Sequence, residues 1–88
     1  YLFEDAGKRH EIDFVVGDAL LLEPLRLVQV SVSLDDSKTR KRELAALEAG
    51  MRKLQAQDAV IVTADEEAEI ETSEGVVRVV PAWKWLLG

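Results

Sequence analysis

A chain of 88 residues, 48% hydrophobic and 32% charged, can build one packed core and not two, and its composition lies far from that of disordered segments. The absence of cysteine excludes disulfides, thiolate catalysis and every cysteine-based metal site, and no apolar run reaches the roughly 18 residues of a membrane span. A net charge of −6 argues against a surface that coats nucleic acid without selectivity, although residues 35–55 carry six basic against four acidic side chains and residues 56–88 two against seven.

Glu11-Ile12-Asp13-Phe14-Val15-Val16 alternates charged and apolar residues before Gly17-Asp18, the period-two pattern of a half-buried strand that ends in a turn. After a loop through Glu23-Pro24, Leu25 to Ser33 alternates again, with Val28, Val30 and Val32 on one face and Leu27, Gln29, Ser31 and Ser33 on the other. The loop is too short for a helical crossover, so the two strands are expected to form an antiparallel hairpin. A turn centred near Leu21 sets Asp13 opposite Gln29, since positions 13 and 29 are equidistant from 21.

Asp35-Asp36 offers N-cap oxygens to a helix that runs to about Gln55, with Leu44, Leu47, Met51 and Leu54 as its apolar stripe and Gly50 as its one weak position. Ala59-Val60-Ile61-Val62 then reads as a strand covered on both faces, and the strand, helix, strand order implies a parallel crossover. Ala68 to Thr72 and Val76 to Val80 form a second hairpin through Ser73-Glu74-Gly75, and Pro81 opens a short last helix whose Trp83, Leu86 and Leu87 seal the core. The expected fold class is α/β, a mixed sheet with one long crossover helix and a short C-terminal helix.

Chemistry is expected where the strand faces are polar in an interior setting. Glu11 and Asp13 share a sheet face with Gln29 and Ser31 in this register, and a carboxylate beside further oxygens is how a sheet holds Mg²⁺. A solvated strand face is the plainer explanation of the same residues. Lys38, Arg40, Lys41 and Arg42 crowd the first turns of the helix, where the macrodipole disfavours cations, and pairing with Asp35, Asp36 and Glu43 or contact with a phosphate backbone would offset that. His10, the one histidine, reads as a surface residue, Trp83 and Trp85 as packing or stacking groups, and the acids between Asp65 and Glu74 as the solvated edge of a hairpin.

The run Glu11 to Val16, Leu27-Val28-Gln29-Val30-Ser31, the Arg40 to Leu47 helix and the ending Val79-Val80-Pro81-Ala82-Trp83-Lys84-Trp85-Leu86-Leu87 resemble the C-terminal domain of prokaryotic AAA-type ATPases. That domain is similar to restriction-endonuclease-like, or PD-(D/E)xK, nucleases and to Holliday junction resolvases. The resemblance implies a restriction-endonuclease-like fold over residues 1–88, with Asp13 as metal-binding aspartate, Gln29 at the Glu or Asp position and Ser31 at the catalytic lysine position. Two of those three positions depart from the nuclease pattern: glutamine adds no charge to a Mg²⁺ site at Asp13 and Gln29, and serine supplies no cation. An accessory module with reduced or lost catalysis, contacting DNA or protein, is the expected function; a metal-dependent endonuclease and a purely structural interaction domain are the alternatives.

The resemblance further places an acidic helix and an ATPase module before Tyr1, which makes this chain a fragment of a larger, cytoplasmic ATPase; the 88 residues contain no P-loop and so no ATP site. DNA, the parent ATPase module and a second copy of the chain are the expected partners, and a membrane is not.

Overall fold

Alternation of apolar and polar residues produces strands where it was expected, with one break that changes the architecture. The computed structural model describes residues 1–17 and 24–87. The expected first strand is interrupted at Ile12-Asp13. Its leading part, β2 (Lys8–Glu11), pairs antiparallel with β1 (Leu2–Asp5) in a separate two-stranded sheet, and only β3 (Phe14–Val16) joins the main sheet. Reciprocal backbone bonds between Tyr1 and Ile12, at 2.7 and 2.8 Å, close the open end of that hairpin. The turn expected near Leu21 lies outside the described residues.

The β1–β2 turn was not legible because its residues are unusual for it. Asp5 faces Lys8 across a two-residue loop, with Ala6 at φ 52° and Gly7 at φ 77°. Positive φ at both central residues is the type I′ geometry whose twist matches that of the strands, but Asn-Gly is its usual signature, and alanine in the left-handed region is strained by about 1 kcal/mol. Ala6→Asn should therefore raise the unfolding free energy by about 0.5 to 1 kcal/mol in urea titration, because asparagine tolerates that conformation. Unchanged or lower stability would contradict the turn geometry.

The main sheet has five strands in the order β3-β4-β5-β7-β6. β3 runs antiparallel to β4 (Arg26–Val30), which is joined through α1 (Ser37–Leu54) to the parallel strand β5 (Asp58–Thr63). β7 (Gly75–Pro81) lies parallel to β5 on its other side, and β6 (Ala68–Thr72) forms the far edge, antiparallel to β7. The α/β class, the mixed sheet, the long crossover helix and the short C-terminal helix α2 (Ala82–Leu87) are thus all present. β5 is central and apolar on both faces: Ala59 and Ile61 face α1, while Val60 and Val62 join Val28 beneath α2.

Asp36 caps α1 by accepting the Lys38 backbone N–H at 3.0 Å, as its position before the apolar pattern predicts. The buried side of the helix is not the expected leucine stripe alone. Ala46, Leu47, Ala49, Gly50 and Met51 are buried, whereas Leu44 and Leu54 only flank the core. Small residues bring the helix axis close to the sheet, and Gly50 sits directly over Ile12 and Leu27, both fully buried. Arg52 ties the end of this helix to two turns, pairing with Asp5 and, at 3.5 Å, with Glu74.

Three expectations need correction. Pro81 ends β7, opposite Thr63, and does not open the helix. Trp83, Leu86 and Leu87 do not seal the core but are 61%, 82% and 83% exposed, and Trp85, two residues after Trp83, is the residue that packs against Val28, Val60 and Val62. A six-residue helix can present only one side to the sheet, and the side chosen carries Ala82 and Trp85. Val30 and Val32, expected on a face with buried Val28, are 56% and 81% exposed. Among the described residues no helix is long and apolar enough to cross a membrane.

Candidate functional site

The break in the first strand creates the site. The β3–β4 register pairs Phe14 with Val28, so the preceding residue, Asp13, stands at the level of Gln29, as the sequence predicts. At this level the chain leaves the sheet to enter the β1–β2 hairpin, and while Ile12 bonds to Tyr1, the flanking Glu11 carbonyl and Asp13 N–H have no strand partner among the described residues. Gln29 replaces that partner. Its Oε1 accepts the Asp13 backbone N–H at 2.8 Å and its Nε2 donates to the Glu11 carbonyl at 3.0 Å. Asp13 reciprocates, its Oδ2 accepting the Val30 backbone N–H at 2.8 Å. Gln29 is 2% exposed, and a buried amide of this kind is stable only because both of its ends are satisfied.

A cavity of about 400 Å³ opens beside this clasp, between the hairpin, the sheet and α1, and Arg9, His10, Glu11, Asp13, Gln29 and Glu43 are among its lining residues. Glu11, Asp13 and Gln29 therefore meet as expected. Ser31 does not join them: it lies past the end of β4, and its hydroxyl donates to the Ser33 carbonyl at 3.0 Å. Of the basic cluster, Arg42 reaches this cavity, while Lys38, Arg40 and Lys41 are exposed on the first turns of the helix. The pairing expected to offset their charge is confined, among the described residues, to Arg42 with Glu43 at 3.8 Å.

Glu43, expected as a partner for helix cations and here paired with Arg42, also lines the cavity, a place the sequence reading did not give it. Its side chain is 15% exposed, and its Oε2 is buried without a hydrogen-bond partner among the described residues. Burial, followed by repulsion from Asp13, pushes its carboxyl above the usual carboxylate range; Arg42 opposes the shift and Glu11 adds to it. The signal was present in the spacing: Glu43 precedes Ala46, Leu47 and Gly50 by three, four and seven positions, on the buried line of the helix.

A raised pKa means that the folded chain holds the Glu43 proton more tightly than the unfolded chain. This contribution to stability is complete below the ordinary carboxylate pKa and is lost as pH rises through the raised value. Asp5 has the opposite sign, since Arg52 lowers its pKa and its contribution fades as pH falls. Glu43→Gln should flatten the decline of stability between the ordinary carboxylate range and neutrality, as read from urea midpoints across that window. A decline as steep as in the parent would show that other groups cause it.

The Gln29 Oε1 and one Asp13 oxygen each accept a backbone N–H, and among the described residues no group of three His, Cys, Asp or Glu side chains is placed to hold a metal ion. Asp13 and Gln29 make a hydrogen-bonded clasp with the backbone of Glu11, Asp13 and Val30. No family model, curated protein or solved structure matches this chain.

Proposed function

We propose that this chain is a nuclease-like accessory module, similar to the C-terminal domain of prokaryotic AAA-type ATPases, in which a restriction-endonuclease-like fold serves contact with DNA or protein and phosphodiester hydrolysis is lost. The observation that carries the reading is the Gln29 amide, bonded at both ends to the backbone of residues 11 and 13. An amide so engaged holds the chain where it passes from hairpin to sheet, which supports a structural role at this position. The strand, strand, helix, parallel strand order agrees with the proposed fold, and the engagement of the Ser31 hydroxyl with Ser33 agrees with the loss of a catalytic group at that position. DNA would meet Lys38, Arg40, Lys41 and Arg42 on the solvent side of α1.

With Mg²⁺ or Mn²⁺ the chain should not cleave double-stranded, single-stranded or branched DNA above background. Loss of one electrostatic group in such a site commonly lowers the rate by about 10² to 10³, and here both a carboxylate and a lysine are replaced. Branched DNA should bind with a salt-dependent affinity that falls when Lys38, Arg40, Lys41 and Arg42 are changed together to glutamine. Metal-dependent cleavage that disappears in Asp13→Ala would overturn the proposal in favour of an endonuclease, for which the Glu43 carboxyl beside Asp13, with its Oε2 buried and without a hydrogen-bond partner among the described residues, is the supporting observation. Absence of any DNA binding would leave protein contact, with the parent ATPase or a second copy, as the role of the module.

A further inference from the structure

The sheet face away from α1 carries a second concavity, an open groove of about 680 Å³ bordered by β6, β7 and α2. Its floor and wall hold an unusual set of donors. Asp58 on β5 binds Arg26 Nε at 2.6 Å and Arg78 Nη2 at 3.1 and 3.2 Å, so one carboxylate fixes two guanidinium groups from the strands on either side of it. Arg26 also lies over the Trp85 ring, 5.8 Å from its centroid. The remaining nitrogens, Nη1 and Nη2 of Arg26 and Nε and Nη1 of Arg78, donate to no described residue. Both side chains are close to half exposed, at 46% and 44%.

Guanidinium groups held in place with unpaired N–H groups suit phosphate oxygens, because the cost of ordering the side chains has already been met by Asp58 and Trp85. A guanidinium in cation–π reach of an indole adds a second flat surface beside the ring, and nucleobases stack on either kind of surface. The lining is not uniformly basic. Lys84 is paired with Glu67, and Glu69, directly across from Arg78 on β6, makes no ion pair among the described residues. A bare anion would meet Glu69 as a repulsive neighbour, whereas a carboxylate at that rim accepts hydrogen bonds from sugar hydroxyls. Charge, ring and hydroxyl together describe one ligand class.

We propose that this groove binds a nucleoside phosphate, with the base on the Arg26–Trp85 pair, the phosphate on the unpaired N–H groups of Arg78 and the sugar toward Glu69. The groove lies on the other side of the sheet from Asp13 and Gln29, so the assignment does not rest on the nuclease-like reading. The groove's volume is within the range of small-molecule sites. Free nucleotides and single-stranded nucleic acid present the same chemistry and are separated by the test below.

The test uses the whole chain carrying Trp83→Phe, which removes the exposed tryptophan and leaves Trp85 as the one indole reporter. AMP, ATP, a short single-stranded oligonucleotide and inorganic phosphate are titrated separately while Trp85 fluorescence is followed. Saturable quenching by the nucleotides or by the oligonucleotide is expected, with the tighter of the two identifying the source, and inorganic phosphate should compete only weakly. Arg78→Gln should weaken binding about tenfold, as removal of one charge-assisted pair does, and Lys84→Gln by less, with circular dichroism showing both variants folded. Lys53→Gln, exposed in the last turn of α1 on the other side of the sheet, should change nothing. No saturable quenching by either nucleotide or oligonucleotide up to about 10 mM, where affinities are weaker than those of specific sites, would overturn the proposal. So would full competition by inorganic phosphate, or unchanged affinity in a folded Arg78→Gln variant.

Discussion

Replacing Gln29 with alanine should lower the unfolding free energy by about 2 to 3 kcal/mol, because two backbone groups lose their partner in a partly buried setting and each such loss costs about 1 to 3 kcal/mol. The groups are the Asp13 N–H and the Glu11 carbonyl, both bound by one side chain that is 2% exposed. Gln29→Glu separates the clasp from the metal-ligand reading. A carboxylate there still accepts from Asp13 but no longer donates to Glu11, and it adds a charge to a cavity that already holds Glu11, Asp13 and Glu43. The variant should therefore be less stable than the parent at neutral pH and recover toward it in acid, where the protonated group is again neutral and can donate. A folded-state pKa raised above the unfolded one has that sign: stability is present at low pH and lost as pH rises. Urea unfolding of both variants across pH, with and without Mg²⁺, decides the matter. A Gln29→Glu protein as stable as the parent at neutral pH and stabilised further by Mg²⁺ would show that the position is a ligand site after all.

Gly50→Ala should destabilise the fold by about 1 to 2 kcal/mol, which is the cost of overpacking, about 1 to 3 kcal/mol, less the gain of up to about 1 kcal/mol from replacing glycine in a helix. A Cβ at position 50 would lie 2.4 Å from the Ile12 Cδ1 and 2.8 Å from the Leu27 Cδ1, and neither side chain has solvent to move into. Ile12→Val removes one of the two clashing methyl groups at a cost of about 0.5 to 1.5 kcal/mol when made alone. Combined with Gly50→Ala, it should cost less than the sum of the single changes, with a coupling of at least about 0.5 kcal/mol in a double-mutant cycle. Additive effects, or a Gly50→Ala protein more stable than the parent, would mean that α1 stands farther from the sheet than described. The same contact explains why the glycine in the helix, a weak position by propensity, belongs there.

Local chemistry alone determined much of this molecule. The alternation through Phe14 to Val16 and Arg26 to Val30, the acid cap before Ser37, the apolar run of β5 and the β6–β7 hairpin each follow from the period and turn residues of a short segment, and the parallel crossover follows from their order. The facing of Asp13 and Gln29 was likewise legible, since a hairpin register needs only the turn centre. What tertiary structure decided was where polar groups find partners. The break at Ile12 is invisible in the alternation, because Ile12 continues the pattern; it exists because Ile12 must insert beneath Gly50 and Gln29 must replace the missing ladder. The burial of Glu43 and the choice of Trp85 over Trp83 depend on how far two helices rotate against the sheet, a quantity fixed by small residues such as Ala46, Ala49 and Ala82 and by side-chain volumes on several elements at once. Periodicity reports which residues share a face, but which of two neighbouring stripes is buried is settled only by packing, where a single close contact outweighs the propensity of a whole turn.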